Sequence, residues 1–278
     1  MKTLYVTDLD GTLLRSDNTI SPFTINAING LVDKGMLFTY ATARSLVSAS
    51  VVTRGLSARI PVIAYNGAFI FHADTGLPLY SLFFTPEESA YITTLLKRFR
   101  LYPFVYSFQE GVERLSWISG TENEGAFHYL QKRKGDPRLN PVPDESRLYT
   151  GDMFYFTCIG DREMLLPFYE TVAASGLFTC TLQQELYETE YWCEVMPKKA
   201  TKANAITRLK ELWGCDRIVS FGDSLNDISM FRISQECYAV ENAAPALKEY
   251  ATGRISVCDE DGVAKWLLSH VHLSLIHI

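Results

Sequence analysis

Two carboxylates, Asp8 and Asp10, stand two residues apart where an apolar segment runs into Gly11. Side chains at i and i+2 of an extended segment project to the same face, and two uncompensated acids at that spacing raise each other's pKa. Because the segment breaks at Gly11, the two acids can also diverge into different roles. A divalent cation, or a reaction that needs one acid and one base, would relieve their repulsion.

Further polar residues follow other predicted strands or begin a helix. They are Thr42-Ala43-Arg44, Lys202, and the group Asp223, Asn226 and Asp227. In open parallel sheets ligands bind at the carboxyl ends of the strands, so we expect these groups to converge. Acids without a Cys/His cluster favour a hard cation, Mg²⁺ first, while lysine, hydroxyl and turn amides suit a phosphate. The set predicts metal-assisted phosphoryl transfer with a carboxylate available as nucleophile.

The elements that must position these groups alternate between strand and helix. Strands are predicted at 4–7, 36–41, 61–65, 217–222, 237–240 and 254–257, and helices at 22–34, after Arg44, at 201–213, from 227 and at 261–269. Ser21 is the expected N-cap of the first helix, with Pro22 at its first position. This alternation indicates a parallel sheet with both faces covered.

Residues 85–189 interrupt the pattern with aromatic-rich strands, helices and a charged loop at 132–137. The interruption is long enough for a small domain. We therefore predict an α/β fold with a Rossmann-like parallel-sheet core, formed by 1–84 and 190–272, and an inserted α/β cap domain at 85–189. The letters of 273–278 match the translated end of a common sequencing adapter, and we interpret them as a non-native tail.

Composition narrows the class of protein. A chain of 278 residues favours two domains, and 47% hydrophobic with 21% charged residues is ordinary for a globular protein. A net charge of −6 argues against a nucleic-acid surface. Six cysteines without a CxxC pair favour a reducing compartment over a zinc site. No leader and no apolar run of about 18 residues is recognised, so we expect a soluble, cytoplasmic monomer or homodimer whose partner is a small phosphorylated metabolite.

Together these motifs resemble the haloacid dehalogenase superfamily, whose four motifs correspond to Asp8-x-Asp10-Gly11-Thr12, Thr42, Lys202 and Gly222-Asp223-x-x-Asn226-Asp227. The placement of the insertion resembles that of the Cof-type, class IIB sugar-phosphatase branch. Further similarity to this branch lies in Asn66-Gly67-Ala68, Val240-x-Asn242-Ala243 and Asp261-Gly262-Val263-Ala264. Across the insertion the resemblance is architectural.

The resemblance implies a role for each matching residue. Asp8 would attack phosphorus and form an aspartyl phosphate, and Asp10 would protonate the leaving oxygen and then activate water. Thr42, Lys202, Ala43 and Arg44 would bind the phosphate. Mg²⁺ would be bound by Asp8, Asp223 and the main-chain carbonyl of Asp10, with support from Asn226 and Asp227. Asn66 and Gly67 would bind the substrate. Ala43 stands where the family usually has glycine.

Other interpretations stay open at this point. Asp-Gly is a common turn pair, Asp223 and Asp227 could cap a helix, Lys202 could belong to a solvated helix start, and Asn66 could simply end a strand. At the level of function, the alternatives are a phosphomannomutase-like phosphomutase and a catalytically silent member that binds a metabolite.

Overall fold

The computed structural model describes residues 1–57, 59–184 and 190–271, so the tail predicted at 273–278 lies outside the described residues. The chain divides into two compact units. One combines Met1–Ser81 with the chain from Ala200 onward, and the other is the continuous segment Leu82–Lys199.

The first unit begins with alternating strands and helices. They are β1 (Thr3–Thr7), α1 (Pro22–Asp33), β2 (Leu37–Ala41), α2 (Leu46–Val52), β3 (Val62–Ala64), β4 (Phe69–Phe71) and β5 (Pro78–Ser81). Helix α1 begins as predicted, because the Ser21 hydroxyl accepts a hydrogen bond from the Thr24 amide at 3.0 Å and Pro22 occupies the first turn.

The second unit has its own sheet and core. Its elements are α3 (Pro86–Phe99), β6 (Phe104–Gln109), β7 (Val112–Ile118), α4 (Glu124–Gln131), β8 (Leu139–Val142), β9 (Asp152–Gly160), α5 (Arg162–Ser175), β10 (Phe178–Gln184) and β11 (Tyr191–Pro197). The strand order is β10-β11-β9-β6-β7-β8, and the neighbouring strands are antiparallel except β7 and β8. The domain boundary predicted from the sequence assigned residues 190–197 to the core domain. In the structure, β11 instead pairs with β9 and β10 of the second unit.

The chain then returns to the first unit. It forms α6 (Lys202–Trp213), β12 (Arg217–Gly222), α7 (Ile228–Phe231), β13 (Glu236–Val240), α8 (Pro245–Lys248), β14 (Gly253–Ile255) and α9 (Gly262–His270). The strand predicted at 254–257 is therefore shorter and begins one residue earlier. None of the helices in the described ranges has the length and apolarity needed to cross a lipid bilayer.

The sheet of the first unit has the order β14-β13-β12-β1-β2-β3-β4-β5. Its pairs are parallel from β14 to β3, as predicted, but β4 and β5 add an antiparallel edge that the sequence pattern did not indicate. The three residues of β4 are all buried, so they show none of the polar–apolar alternation that marks a half-exposed strand.

Strand register explains how distant motifs come together. Thr7 at the end of β1 lies opposite Tyr40 of β2 on one side and Phe221 of β12 on the other. The carboxyl ends of these three neighbouring strands are therefore level. Asp8, Thr42 and Asp223 each follow one of these ends within a residue or two, which places them along one edge of the sheet.

Candidate active site

A buried lysine bridges two buried aspartates at this edge. Lys202, at the first turn of α6, is 2% exposed, and its ammonium donates to Asp8 Oδ1 and, at 2.7 Å, to Asp227 Oδ1. Asp8 is 5% exposed and Asp227 is fully buried. The register places Asp8 firmly, since its amide donates to the Phe221 carbonyl at 2.9 Å. Buried charges require such partners. Lys202 therefore belongs to a buried ion-pair cluster and not to a solvated helix start.

Asp227 also organises the loop that carries Asp223. Its Oδ2 accepts hydrogen bonds from the amides of Asp223 (3.0 Å) and Ser224 (3.1 Å). One carboxylate thus anchors the lysine and ties down the turn after β12. The helix-cap interpretation of Asp227 is correct in geometry, and the same side chain takes part in the acid cluster.

Asp223 is held from two sides. The Thr12 hydroxyl donates to its Oδ1 at 3.3 Å, and the Ala244 amide donates to its carbonyl at 2.7 Å. Gly11 has a φ of +72°, and a Cβ there would lie 2.5 Å from Asp223 Oδ2. Glycine between Asp10 and Thr12 therefore allows the first motif to pass close to Asp223.

The cluster carries more acid than one lysine can balance. Burial raises the pKa of Asp8 well above its usual range, opposed by Lys202 and reinforced by Asp227 and Asp223. Burial and Asp227 raise the pKa of Asp223 to about 7. Although burial disfavours the ammonium, Asp227 and Asp8 outweigh it and keep the pKa of Lys202 above its usual value. Lys202 therefore stays charged, and without a cation Asp8 and Asp223 hold protons more readily than free carboxyls do.

Asp10 points to a different partner from Asp8. Its side chain is 48% exposed, and the Arg44 guanidinium donates to both of its oxygens, with Nε 2.9 Å from Oδ2. Arg44 also donates to Asn18 Oδ1 at 3.0 Å and to the Ser48 hydroxyl at 3.3 Å. The two acids thus diverge at Gly11, and Arg44, expected at the phosphate, holds the Asp10 carboxylate in this structure.

Thr42 is fully buried directly after β2. Its hydroxyl oxygen accepts the Arg44 amide at 3.1 Å, which leaves the hydroxyl hydrogen free to donate to another group. Ala43, in place of the family's usual glycine, is not among the described residues with positive φ, so the alanine side chain is accommodated without left-handed strain.

Among the described residues, two asparagines near these motifs carry a buried amide oxygen that accepts no hydrogen bond. They are Asn66, in the turn after β3, and Asn226, in the turn after β12. A buried polar atom without a partner is uncommon in a native fold and calls for an explanation. Asn226 is next to Asp227 in the sequence, and a bound cation or one of its ligands would explain the unpartnered Asn226 oxygen.

These residues fit a hard divalent cation. Asp8, Asp223 and Asp227 each offer a carboxylate oxygen, and the three atoms lie within 4.8 Å of one another. With Lys202 charged and the three acids ionised, two negative charges are left over, which one divalent cation would balance. A donor set made only of carboxylate oxygens suits Mg²⁺ rather than a soft metal. The Asp10 side chain, paired with Arg44, is not part of this group.

Sequence reasoning gave no role to two residues that shape the site, Thr12 and Asn242. Thr12 bonds Asp223, while the Asn242 side chain donates to the Gly11 carbonyl at 2.7 Å and accepts the Cys258 amide at 3.1 Å. Both stand inside motifs that carried the family resemblance, and that position was the available signal. The Thr12–Asp223 and Asn242–Gly11 contacts each join residues more than 200 positions apart, so local sequence could not reveal these partners.

Comparison with known proteins assigns this fold and site to a family. The chain belongs to the haloacid dehalogenase-like hydrolases, whose family model matches residues 5–267. The resemblance inferred from the motifs is thereby confirmed, and the chain is an enzyme of the hydrolase class.

The similar proteins include phosphatases over nearly the full length. A 5-amino-6-(5-phospho-D-ribitylamino)uracil phosphatase of Bacillus subtilis (strain 168) is 30% identical over 286 residues, covering 94% of this chain and 95% of the relative. An HMP-PP phosphatase of Yersinia pseudotuberculosis (serotype I, strain IP32953) is 26% identical and covers 96% of both chains. The crystal structure of a Thermotoga maritima protein superposes with a TM-score of 0.80 at 25% identity over all of both chains. The predicted α/β fold is confirmed, and the enzyme is of the phosphatase type.

Proposed function

We propose that this enzyme is a Mg²⁺-dependent phosphatase that hydrolyses small phosphorylated metabolites through an aspartyl phosphate on Asp8. One observation carries the proposal. Asp8 is a buried carboxylate, fixed at a strand end and ion-paired to a lysine that also binds Asp227. A carboxylate held this way is oriented for attack, and the adjacent positive charge offsets its repulsion from a phosphate dianion.

The reaction proceeds in two displacements. An Asp8 carboxylate oxygen forms a bond to phosphorus while the ester P–O bond breaks, and the leaving oxygen takes a proton from Asp10. Asp10 then removes a proton from water, the water oxygen attacks phosphorus, and the bond between phosphorus and Asp8 breaks to release phosphate. Because Arg44 donates to both oxygens of Asp10, it keeps this acid–base group oriented and apart from the nucleophile.

Phosphoryl oxygens are bound by Lys202, the Thr42 hydroxyl and the main chain at Ala43. Thr42 suits this role because its oxygen is already occupied as an acceptor and its hydrogen is available. Asp8, the main-chain carbonyl of Asp10 and Asp223 would hold the Mg²⁺, with Asn226 and Asp227 supporting it. When bound, the ion supplies positive charge between the nucleophile and the phosphate.

For the substrate, a sugar phosphate is the leading candidate. The Bacillus and Yersinia relatives are named for phosphorylated small molecules, which supports a metabolite of similar size. All of the residues assigned above lie in the first unit, so we assign substrate selection to the second unit as a cap domain. The cytoplasmic location and the monomeric or homodimeric state stay predictions.

The two alternatives are disfavoured by specific observations. A phosphomutase would return the phosphoryl group to the sugar, whereas the relatives described above are named phosphatases. A silent binding protein would not need the Asp8–Lys202 pair and a separately held Asp10. Release of free phosphate from an ester distinguishes the phosphatase from both.

Replacing the nucleophile tests the mechanism. We expect Asp8→Asn to lower Mg²⁺-dependent hydrolysis of para-nitrophenyl phosphate by at least about a thousandfold, because an amide cannot form the acyl phosphate. Asp33→Asn, at an exposed ion pair with Arg59, is the matched control and should retain wild-type activity. Undiminished turnover by the Asp8→Asn protein would refute the mechanism.

A further inference from the structure

Three consecutive residues, Tyr65, Asn66 and Gly67, have positive φ angles of 51°, 53° and 98°. Asparagine tolerates the left-handed region and glycine is free to adopt it, but a tyrosine there is disfavoured. The turn joins the antiparallel strands β3 and β4, and hairpin loops of this length are most often built around a type I turn with negative φ. The hairpin alone therefore does not require this conformation. Such strain persists where the surroundings fix it, and it concentrates at functional sites.

On one side, this left-handed turn holds the loop after β2. The Tyr65 amide donates to the Arg44 carbonyl at 3.0 Å, and the Asn66 amide donates to the Thr42 carbonyl at 2.9 Å. These two carbonyls flank Ala43. The turn thereby fixes both ends of the segment that carries the Thr42 hydroxyl.

On the other side, the turn lies against the start of α6. A Cβ on Gly67 would lie 2.2 Å from the Thr201 carbonyl oxygen, 2.5 Å from its carbon and 3.1 Å from the Lys202 amide nitrogen. That carbonyl accepts the Ala205 amide at 3.2 Å in the first turn of the helix. A side chain at position 67 would therefore have to displace the helical turn from which Lys202 reaches Asp8.

We propose that Tyr65–Gly67 is a positioning element that fixes Thr42 and Lys202 relative to each other. It acts through its backbone, and the role of Asn66 and Gly67 is to tolerate positive φ. This differs from the substrate-binding role that the family resemblance implied for these two residues. The catalytic consequence rests on the proposed function, because only a phosphate-binding role makes the spacing of these two groups matter for turnover.

Gly67→Ala tests the proposal, with Gly35→Ala as a closely matched control. Gly35 has a φ of +99° against +98° for Gly67, but a Cβ on Gly35 would meet nothing within 4 Å. Both variants place alanine at nearly the same positive φ, and only Gly67→Ala brings a side chain against α6. We expect kcat/KM for para-nitrophenyl phosphate with Mg²⁺ to fall at least tenfold in Gly67→Ala and to stay within twofold in Gly35→Ala. Equal losses in the two variants would overturn the proposal.

Chemical labelling of Lys202 gives a readout that does not depend on activity. Acetic anhydride followed by peptide mass spectrometry should leave the buried Lys202 unmodified in the wild type and in Gly35→Ala, and should label it at least tenfold faster in folded Gly67→Ala. If no protein hydrolyses any ester, the proposed function fails, while the labelling still decides whether the turn positions Lys202. Full protection in Gly67→Ala would refute the positioning role.

Asn66→Gly separates positioning from substrate contact and decides the matter if Gly67→Ala does not fold. Glycine keeps the amide that bonds Thr42 and permits positive φ, so only the side chain is lost. We expect KM to be unchanged and kcat to fall less than threefold. A tenfold rise in KM would assign the Asn66 side chain to substrate binding and overturn the proposal.

Discussion

At the scale of single residues, the site is governed by a mismatch between three acids and one lysine. Lys202 pairs directly with Asp8 and Asp227, whereas Asp223 accepts a hydrogen bond from the Thr12 hydroxyl. The second oxygen of Asp227 accepts hydrogen bonds from two loop amides. Residue types could indicate a cation and a phosphate here. They could not show that Lys202 bridges Asp8 to Asp227, because the bridge depends on the level ends of β1 and β12.

This mismatch predicts that Mg²⁺ binding depends on pH. The pKa of Asp223 is about 7 without the ion, chiefly through burial, so below that pH a proton must leave before the carboxylate can bind Mg²⁺. We expect the Mg²⁺ affinity to fall at least about tenfold per pH unit below about pH 7, because Asp223 must lose its proton and the raised pKa of Asp8 adds to the loss. Isothermal titration calorimetry between pH 5.5 and 8 measures this directly.

The stability of the Mg²⁺-free protein has the opposite pH dependence from its Mg²⁺ affinity. A folded-state pKa raised above the unfolded value means that the folded protein binds more protons, so without Mg²⁺ it loses stability as pH rises from about 4 to about 7. Added Mg²⁺ should therefore raise the melting temperature more at pH 8 than at pH 5. Asp223→Asn should abolish most of that difference. A Mg²⁺ affinity that is constant across the range would contradict the assignment of Asp223.

At the scale of elements, the parallel strands and the helices between them were predictable, and the antiparallel edge of the sheet was not. The helix from Pro22 and the strand at 217–222 follow from an N-cap, apolar spacing and glycine ends. The antiparallel β4 and β5 were missed because the alternation of strand and helix, which indicated the other strands of this sheet, stops after β3. The left-handed turn between β3 and β4 was also hidden, since Asn-Gly indicates a turn without revealing what the turn holds.

Asp261 connects two helices that are distant in the sequence, and we expect its loss to lower the stability of the fold. Asp261, just before α9, accepts the hydroxyls of Ser21 (2.6 Å) and Thr24 (3.0 Å) and the Arg15 guanidinium (2.8 Å), so it joins the start of α1 to the start of α9. We expect Asp261→Ala to lower the free energy of unfolding at pH 7 by about 2–3 kcal/mol, because these bonds are lost at a part-buried site. Its φ of +59° adds strain for alanine. Urea denaturation measures the loss.

Asp261→Asn is the matched variant, since asparagine tolerates the same backbone but carries no charge. Burial alone would raise the pKa of Asp261, but hydrogen bonds from Ser21, Arg15 and Thr24 lower it below its usual value. The carboxylate therefore stabilises the fold above about pH 4, and this contribution is lost as pH falls through the lowered pKa. The stability gap between wild type and Asp261→Asn should narrow from pH 7 to pH 3. A gap of equal size at both values would show that charge plays no part.

At the scale of the whole molecule, the chemistry and the insertion are separate in sequence. The assigned site residues come from the two chain segments of the first unit, whereas the second unit is one continuous segment. Alternating strand and helix signals indicated this organisation because each segment buries its own apolar face. They misplaced the return to the core by about ten residues, since an apolar strand such as β11 does not reveal which sheet it will join.

We predict that Leu82–Lys199 folds when expressed alone. It has a six-stranded sheet and its own core, in which Phe156 and Phe168 are fully buried, and α3 packs against α5. A continuous segment of this size lies above the range in which domains need disulfides or metals to fold. Circular dichroism should show a mixed helix and strand spectrum with a cooperative thermal transition, and para-nitrophenyl phosphate should not be hydrolysed, because the segment contains neither Asp8 nor Lys202. A gradual, non-cooperative melt would show instead that the insertion depends on the first unit for its fold.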